Sequence, residues 1–259
     1  MNEIVNDGVS ENRSGLFADL GGLLFSPFQT LENLSGRRAN YILVILLIGI
    51  TTAAVDYFLF TQPGLLYLRA LDLIKFARYV DSDSTLSLVE AVSKVRGRLI
   101  LSFATLPLGL AAEILIFAVL ASYASRLLGG RMDIGETIRL LSLAKLIPFL
   151  GFLVGVIFLY YRGLDLIGDL VDTEMGIGLN LFAPYSRIRI SETLHLFLRR
   201  FDLFALWYLI LAGKGVALAN RISPIRAFII IGALYYLGVW VEFAWGRYGW
   251  LVLKVFFFV

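Results

Sequence analysis

The chain has 259 residues, 59% of them hydrophobic and 17% charged, with a formal net charge of +3 and a mean hydropathy of +0.81. Soluble domains are about 45–50% apolar, so a water-soluble fold would leave much of this surface outside its core, and the composition points to a multi-pass membrane protein. The small, scattered charge argues against nucleic-acid binding, the lack of cysteine excludes disulfides and thiolate metal sites, and a single histidine excludes most His-based constellations within one chain.

Residues 1–15 are polar, carry both charge signs, and are expected to be disordered; their pattern is not that of a cleavable signal. Over residues 16–40 the apolar side chains recur at helical intervals, from Leu16 and Phe17 through Leu31 and Leu34. Ser26, Pro27 and Gln29 occupy the N-cap, N1 and N3 places of a capping box, and Gly36 suits the position after the helix end. This amphipathic piece is too short and too polar to cross a bilayer. It either lies in the membrane interface or packs against the protein's own helices.

A membrane domain over residues 41–245 then follows, with five spans expected over about 41–60, 99–121, 138–160, 201–219 and 224–245. Between the first two spans, Arg69, Asp72, Lys75 and Arg78 recur every third residue on a leucine-rich background, the pattern of a second interfacial helix. A polar helix from about Leu86 to Arg98 leads into the second span, and Gly129-Gly130 makes a tight turn before the third. Pro107 and Pro148 are each expected to kink their span, and the Gly151-x-x-x-Gly155 spacing allows close helix approach. Residues 162–200 form a second long, mixed connection; residues 246–259 either lie along the interface or extend the fifth helix. Arginines and lysines lie on both sides of the membrane. Counting short segments alone favours an N-terminus inside.

The order of these features resembles a known family. Ser26-Pro27-Phe28-x-x-Leu31 opens the amphipathic region, Leu143-Ala-Lys-Leu-Ile-Pro148 lies in the third span, and Phe201-Asp-Leu-Phe-Ala-Leu-Trp207 opens the fourth. Together, over Leu16 to Val241, they are similar to the bacterial branch of the Yip1 family, with Pro27, Pro148, Asp202, Phe204 and Trp207 as the positions that carry the likeness. The resemblance implies an all-α, five-span membrane protein with a cytoplasmic N-terminus in the bacterial inner membrane. Eukaryotic members act in vesicle traffic with Rab GTPases. Their Asp-Leu-Tyr-Gly-Pro motif is missing from this sequence, so Rab binding is not carried over.

Ionisable groups inside spans are costly and mark candidate sites. Glu113 and Lys145 fall at similar depth from one surface, about 10–12 Å at 1.5 Å per residue, on adjacent antiparallel spans. They are expected to pair, either as a neutralised ion pair or as part of a proton or ion relay. Asp56, Asp202 and Glu242 fall near span ends on the opposite side. As one layer they would bind a cation or a proton, or each would meet an arginine such as Arg98, Arg162, Arg199, Arg200 or Arg247. Lys214 is expected to snorkel to the N-terminal side.

No catalytic set, metal site or cofactor is read from the sequence. The expected partners are the lipid bilayer and either a further copy of the chain or another membrane protein. The leading reading is a non-enzymatic scaffold in membrane organisation or trafficking. The alternative is a small transporter or channel that uses the intramembrane carboxylates.

Overall fold

The computed structural model describes residues 21–22, 25–34, 41–80, 86–162 and 202–257, and every regular element among them is an α-helix. In chain order these are α1 (Pro27–Leu34), α2 (Tyr41–Phe60), α3 (Pro63–Val80), α4 (Leu88–Leu127), α5 (Ile134–Ala144), α6 (Leu146–Arg162), α7 (Leu203–Asn220) and α8 (Pro224–Phe257). Five stretches are long and apolar enough to cross a membrane: α2, α4, α5 and α6 together, α7, and the first half of α8. The protein is a five-span membrane bundle with amphipathic helices outside the spans.

The boundaries of several elements differ from the sequence reading, for local reasons. The polar lead-in and the second span form one helix of 40 residues, about 60 Å long at 1.5 Å per residue. Its start is set by a capping box: Ser87 Oγ accepts the Glu90 N–H (3.3 Å) while the Glu90 carboxylate accepts the Ser87 N–H (3.0 Å). At Ser26 the expected box does not form in that way, because the Ser26 N–H donates to the Gly22 carbonyl at 2.7 Å. The fifth helix continues through Phe257, so most of the tail extends it.

The two prolines behave differently. α4 runs unbroken through Pro107, whose ring seats against Gly49 of α2; a Cβ on Gly49 would fall 2.6 Å from the Pro107 Cα. The third span is instead split at Lys145, which ends α5. Pro148 has no N–H to return to the Ala144 carbonyl, while the bonds on either side persist, Lys145 N–H to Leu141 (3.0 Å) and Phe149 N–H to Lys145 (3.2 Å).

The main core gathers around α5 and α7. Residues of α5 from Thr137 to Ala144 are buried on nearly every face, and α7 buries Leu211, Ala212 and Val216 against it. Close approach depends on small residues: a Cβ on Gly215 would meet Leu140, and one on Gly151 would meet the Phe204 ring. A second, smaller core forms at the far end, where Leu65 and Leu66 of α3 meet Leu59, Phe60, Val95, Leu99 and Leu159. α3 therefore lays its apolar face on the amino-terminal part of α4. Likewise, α1 buries Leu31 and Leu34 in the main core and leaves Phe25 and Phe28 outward. One face of α1 thus packs on the protein's own helices.

Candidate functional site: an intramembrane charged niche

Lys145 stands at the break between α5 and α6, where the backbone turn aims its side chain at α4. Its ammonium donates to Glu113 Oε1 at 2.5 Å. It also lies 5.1 Å from the centroid of the Tyr208 ring on α7, and Tyr208 in turn lies 6.3 Å, ring to ring, from Tyr235 on α8. Four helical segments thus converge on one charged pair. The Lys145 side chain is 16% exposed, whereas that of Glu113 is 44% exposed. The niche is enclosed on the lysine side and open on the glutamate side.

Both residues stand further from the helix ends than from the span bounds expected from the sequence. Asp133 caps α5, its carboxylate accepting the Glu136 N–H at 3.0 Å, so that helix begins at Ile134. α4 persists to Leu127. Lys145 is thus eleven residues from the start of α5 and Glu113 fourteen from the end of α4, about 16 and 21 Å at 1.5 Å per residue. A carboxylate and an ammonium inside candidate spans gain most by neutralising each other.

The other sequence-predicted candidates have local partners of their own. Asp202 is the N-cap of α7, its carboxylate accepting the Ala205 N–H, so its charge is given to a helix end. Asp56 is half-buried and feels the positive charge of Arg69, whose guanidinium sits 3.6 Å over the Phe60 ring. Arg69 was not among the arginines expected to meet this layer. The side chain of Glu242 lies outside the described residues, as do Arg199 and Arg200. Lys214 does not simply snorkel: its ammonium stands 2.7 Å from Glu32 Oε1 of α1. No cluster of three metal-ligating side chains occurs among the described residues.

A second polar cluster was not found from the sequence. At the α4–α5 turn, Asn220 Nδ2 donates to Thr137 Oγ1 (2.9 Å) and to the Val216 carbonyl (3.2 Å), and its Oδ1 accepts the Asp133 N–H (3.1 Å). Ser122 also donates to Thr137 Oγ1 (3.0 Å), and that hydroxyl donates to the Asp133 carbonyl (2.6 Å). Ser122, Thr137 and Asn220 are all fully buried. Gly130 belongs to this seam because a Cβ there would fall 2.7 Å from the Asn220 carbonyl and overlap Ile222. Nearby, Arg139 is buried in an ion pair with Glu136, one turn earlier on α5. The available signal was polar residues near three span ends, around the Gly129-Gly130 turn.

With this geometry in hand, the comparison with known families is specific. The Yip1 domain model matches residues 21–244. The chain belongs to the Yip1 domain family. The match takes in α1 through the first half of α8, and so both polar clusters. Neither curated proteins nor solved structures show a match to the chain. Within the Yip1 domain, the positions that carried the resemblance fall at structural joints. Pro27 opens α1, Pro148 accompanies the break beside Lys145, and Asp202 caps α7. Phe204 packs on Gly151, and Trp207 rests against the main core.

Proposed function

We propose that this Yip1-domain protein is a non-enzymatic scaffold of the bacterial inner membrane, with its N-terminus in the cytoplasm, acting in membrane organisation or trafficking. The observation that carries this reading is that its intramembrane charges are committed to its own architecture. Glu113 meets Lys145, Asp202 caps α7, and Asp56 lies in the field of Arg69. A bundle organised this way presents lipid-facing helices, among them the outward leucines of α4, to lipid, to further copies of itself or to other membrane proteins. Co-purification of proteins and lipids from native membranes tests the proposal. A specific protein or lipid enriched with the chain is the expected result. Recovery of one small solute, with neither protein nor lipid enriched, would overturn it.

The transport alternative draws support from one place, and it is not the Asp56, Asp202 and Glu242 layer. A broken span with an open carboxylate deep in the bundle is the arrangement by which transporters build midplane sites. Proton or cation uptake by reconstituted vesicles, lost on Glu113→Gln, would favour that reading over the scaffold.

A further inference from the structure

α1 is short, yet it is held at a definite depth. Leu31 and Leu34 are buried in the main core, and α1 packs on α7. Glu32 reaches Lys214 at 2.7 Å, and Lys214 lies six residues before Asn220, the end of α7, or about 9 Å along the helix. α1 therefore sits beside the bundle, below the end of α7, not on top of it.

The neighbouring surface at that level is apolar. Gly213, next to Lys214, is in close contact with the Phe228 backbone of α8. One turn nearer the end of the bundle, Ile225 is 74% exposed. Lipid-facing surface thus extends beyond the level of α1. On the side of α1 away from the core, Phe25 is 89% exposed and Phe28 47% exposed. Only six residues separate Leu34 from Tyr41, where the first span begins, and such a tether reaches at most about 25 Å.

We infer that α1 is a lipid-inserted part of the bundle, with Phe25 and Phe28 entering the acyl boundary of the leaflet on the N-terminal side and the Glu32–Lys214 ion pair fastening the helix at that depth. Two phenylalanines in water would lose the transfer energy that drives apolar side chains out of it. At the acyl boundary that energy is recovered, in the manner of interfacial helices. An unpaired Glu32 would oppose insertion, and Lys214 removes that opposition. The occupant is lipid and not a second copy because Glu32 fastens α1 to a membrane-spanning helix short of that helix's end, at a level where the bundle surface is apolar. The inference goes beyond the scaffold reading and needs no partner to be found.

The chain has no cysteine, so Phe25→Cys and Phe28→Cys each create a single labelling position. Each variant, carrying an environment-sensitive nitrobenzoxadiazole fluorophore, is reconstituted in phosphatidylcholine vesicles with 20% phosphatidylglycerol (about one lipid in five, set to supply anionic headgroups), with or without acyl-brominated phosphatidylcholine. The expected result is loss of emission with brominated lipid and insensitivity to aqueous iodide. Quenching by iodide alone would place the side chains in water, and quenching by neither would place them under protein; both outcomes overturn the inference. Glu32→Lys should abolish the bromolipid quenching at position 25, and Lys214→Glu added to it should restore the quenching. If Glu32→Lys does not fold, Glu32→Gln should weaken the quenching. Unchanged quenching in the folded variant would overturn the role of the ion pair.

Discussion

The interior holds two polar clusters built on opposite plans. The seam of Ser122, Thr137 and Asn220 is neutral, fully buried and saturated: Asn220 uses both its amide hydrogens and its carbonyl oxygen, and Thr137 donates once and accepts twice. The niche of Glu113 and Lys145 is charged and open, with the glutamate side chain 44% exposed. Saturated neutral hydrogen bonds specify one packing arrangement, since any displacement strands a donor or acceptor in a medium without water. A charged pair with an open side has room to exchange partners. The difference assigns the seam to holding the turn and helix ends together, and the ion pair to neutralising two charges inside the spans.

The largest expected effect comes from attacking the seam. Asn220→Ala removes three hydrogen bonds and strands the Asp133 N–H. Stranded buried groups cost about 1–3 kcal/mol each, so a stability loss of about 3 kcal/mol is expected, read by thermal unfolding in detergent. Lys145→Met comes next. Removing one member of a buried pair costs about 3–5 kcal/mol, and the exposed part of Glu113 inside a span meets acyl chains rather than water, so a loss of about 3 kcal/mol is expected. Ser122→Ala deletes one donor to an oxygen that keeps its other partners, and should cost about 1 kcal/mol. The double variant Glu113→Gln with Lys145→Met removes both charges together and should cost less than about 1 kcal/mol, so that the two substitutions are strongly non-additive. Exchange of the two charges tests the same pairing. Failure of Glu113→Lys with Lys145→Glu to recover what either single change loses would count against the ion pair.

What was legible in the sequence follows from which interactions are local. Hydropathy places the spans because a span of about 20 residues must satisfy its own backbone, and that demand is written into consecutive residues. Glu113 and Lys145 were matched because adjacent antiparallel spans turn depth into a simple count, although the caps at Ser87 and Asp133 moved the helix starts. The capping role of Asp202 went unread because a carboxylate three residues before an N–H reads equally as a cap or as part of a layer of charge. The contacts of Glu32 with Lys214 and of Thr137 with Asn220 join elements far apart in the chain. They depend on which faces the helices turn toward one another, and no spacing rule within one helix encodes that. Pro107 and Pro148 make the same point, since the seat offered by Gly49 of α2 is not visible around Pro107 itself.

The comparison between the clusters rests on one difference in stability, which a single paired experiment reads directly. Thermal unfolding of Asn220→Ala and of the Glu113→Gln/Lys145→Met double variant, measured side by side in the same detergent, should give a drop of about 6–12 °C for the first and about 3 °C or less for the second. Equal drops, or a larger one for the double variant, would give the ion pair a net contribution as large as the seam's and contradict the division proposed between the two clusters.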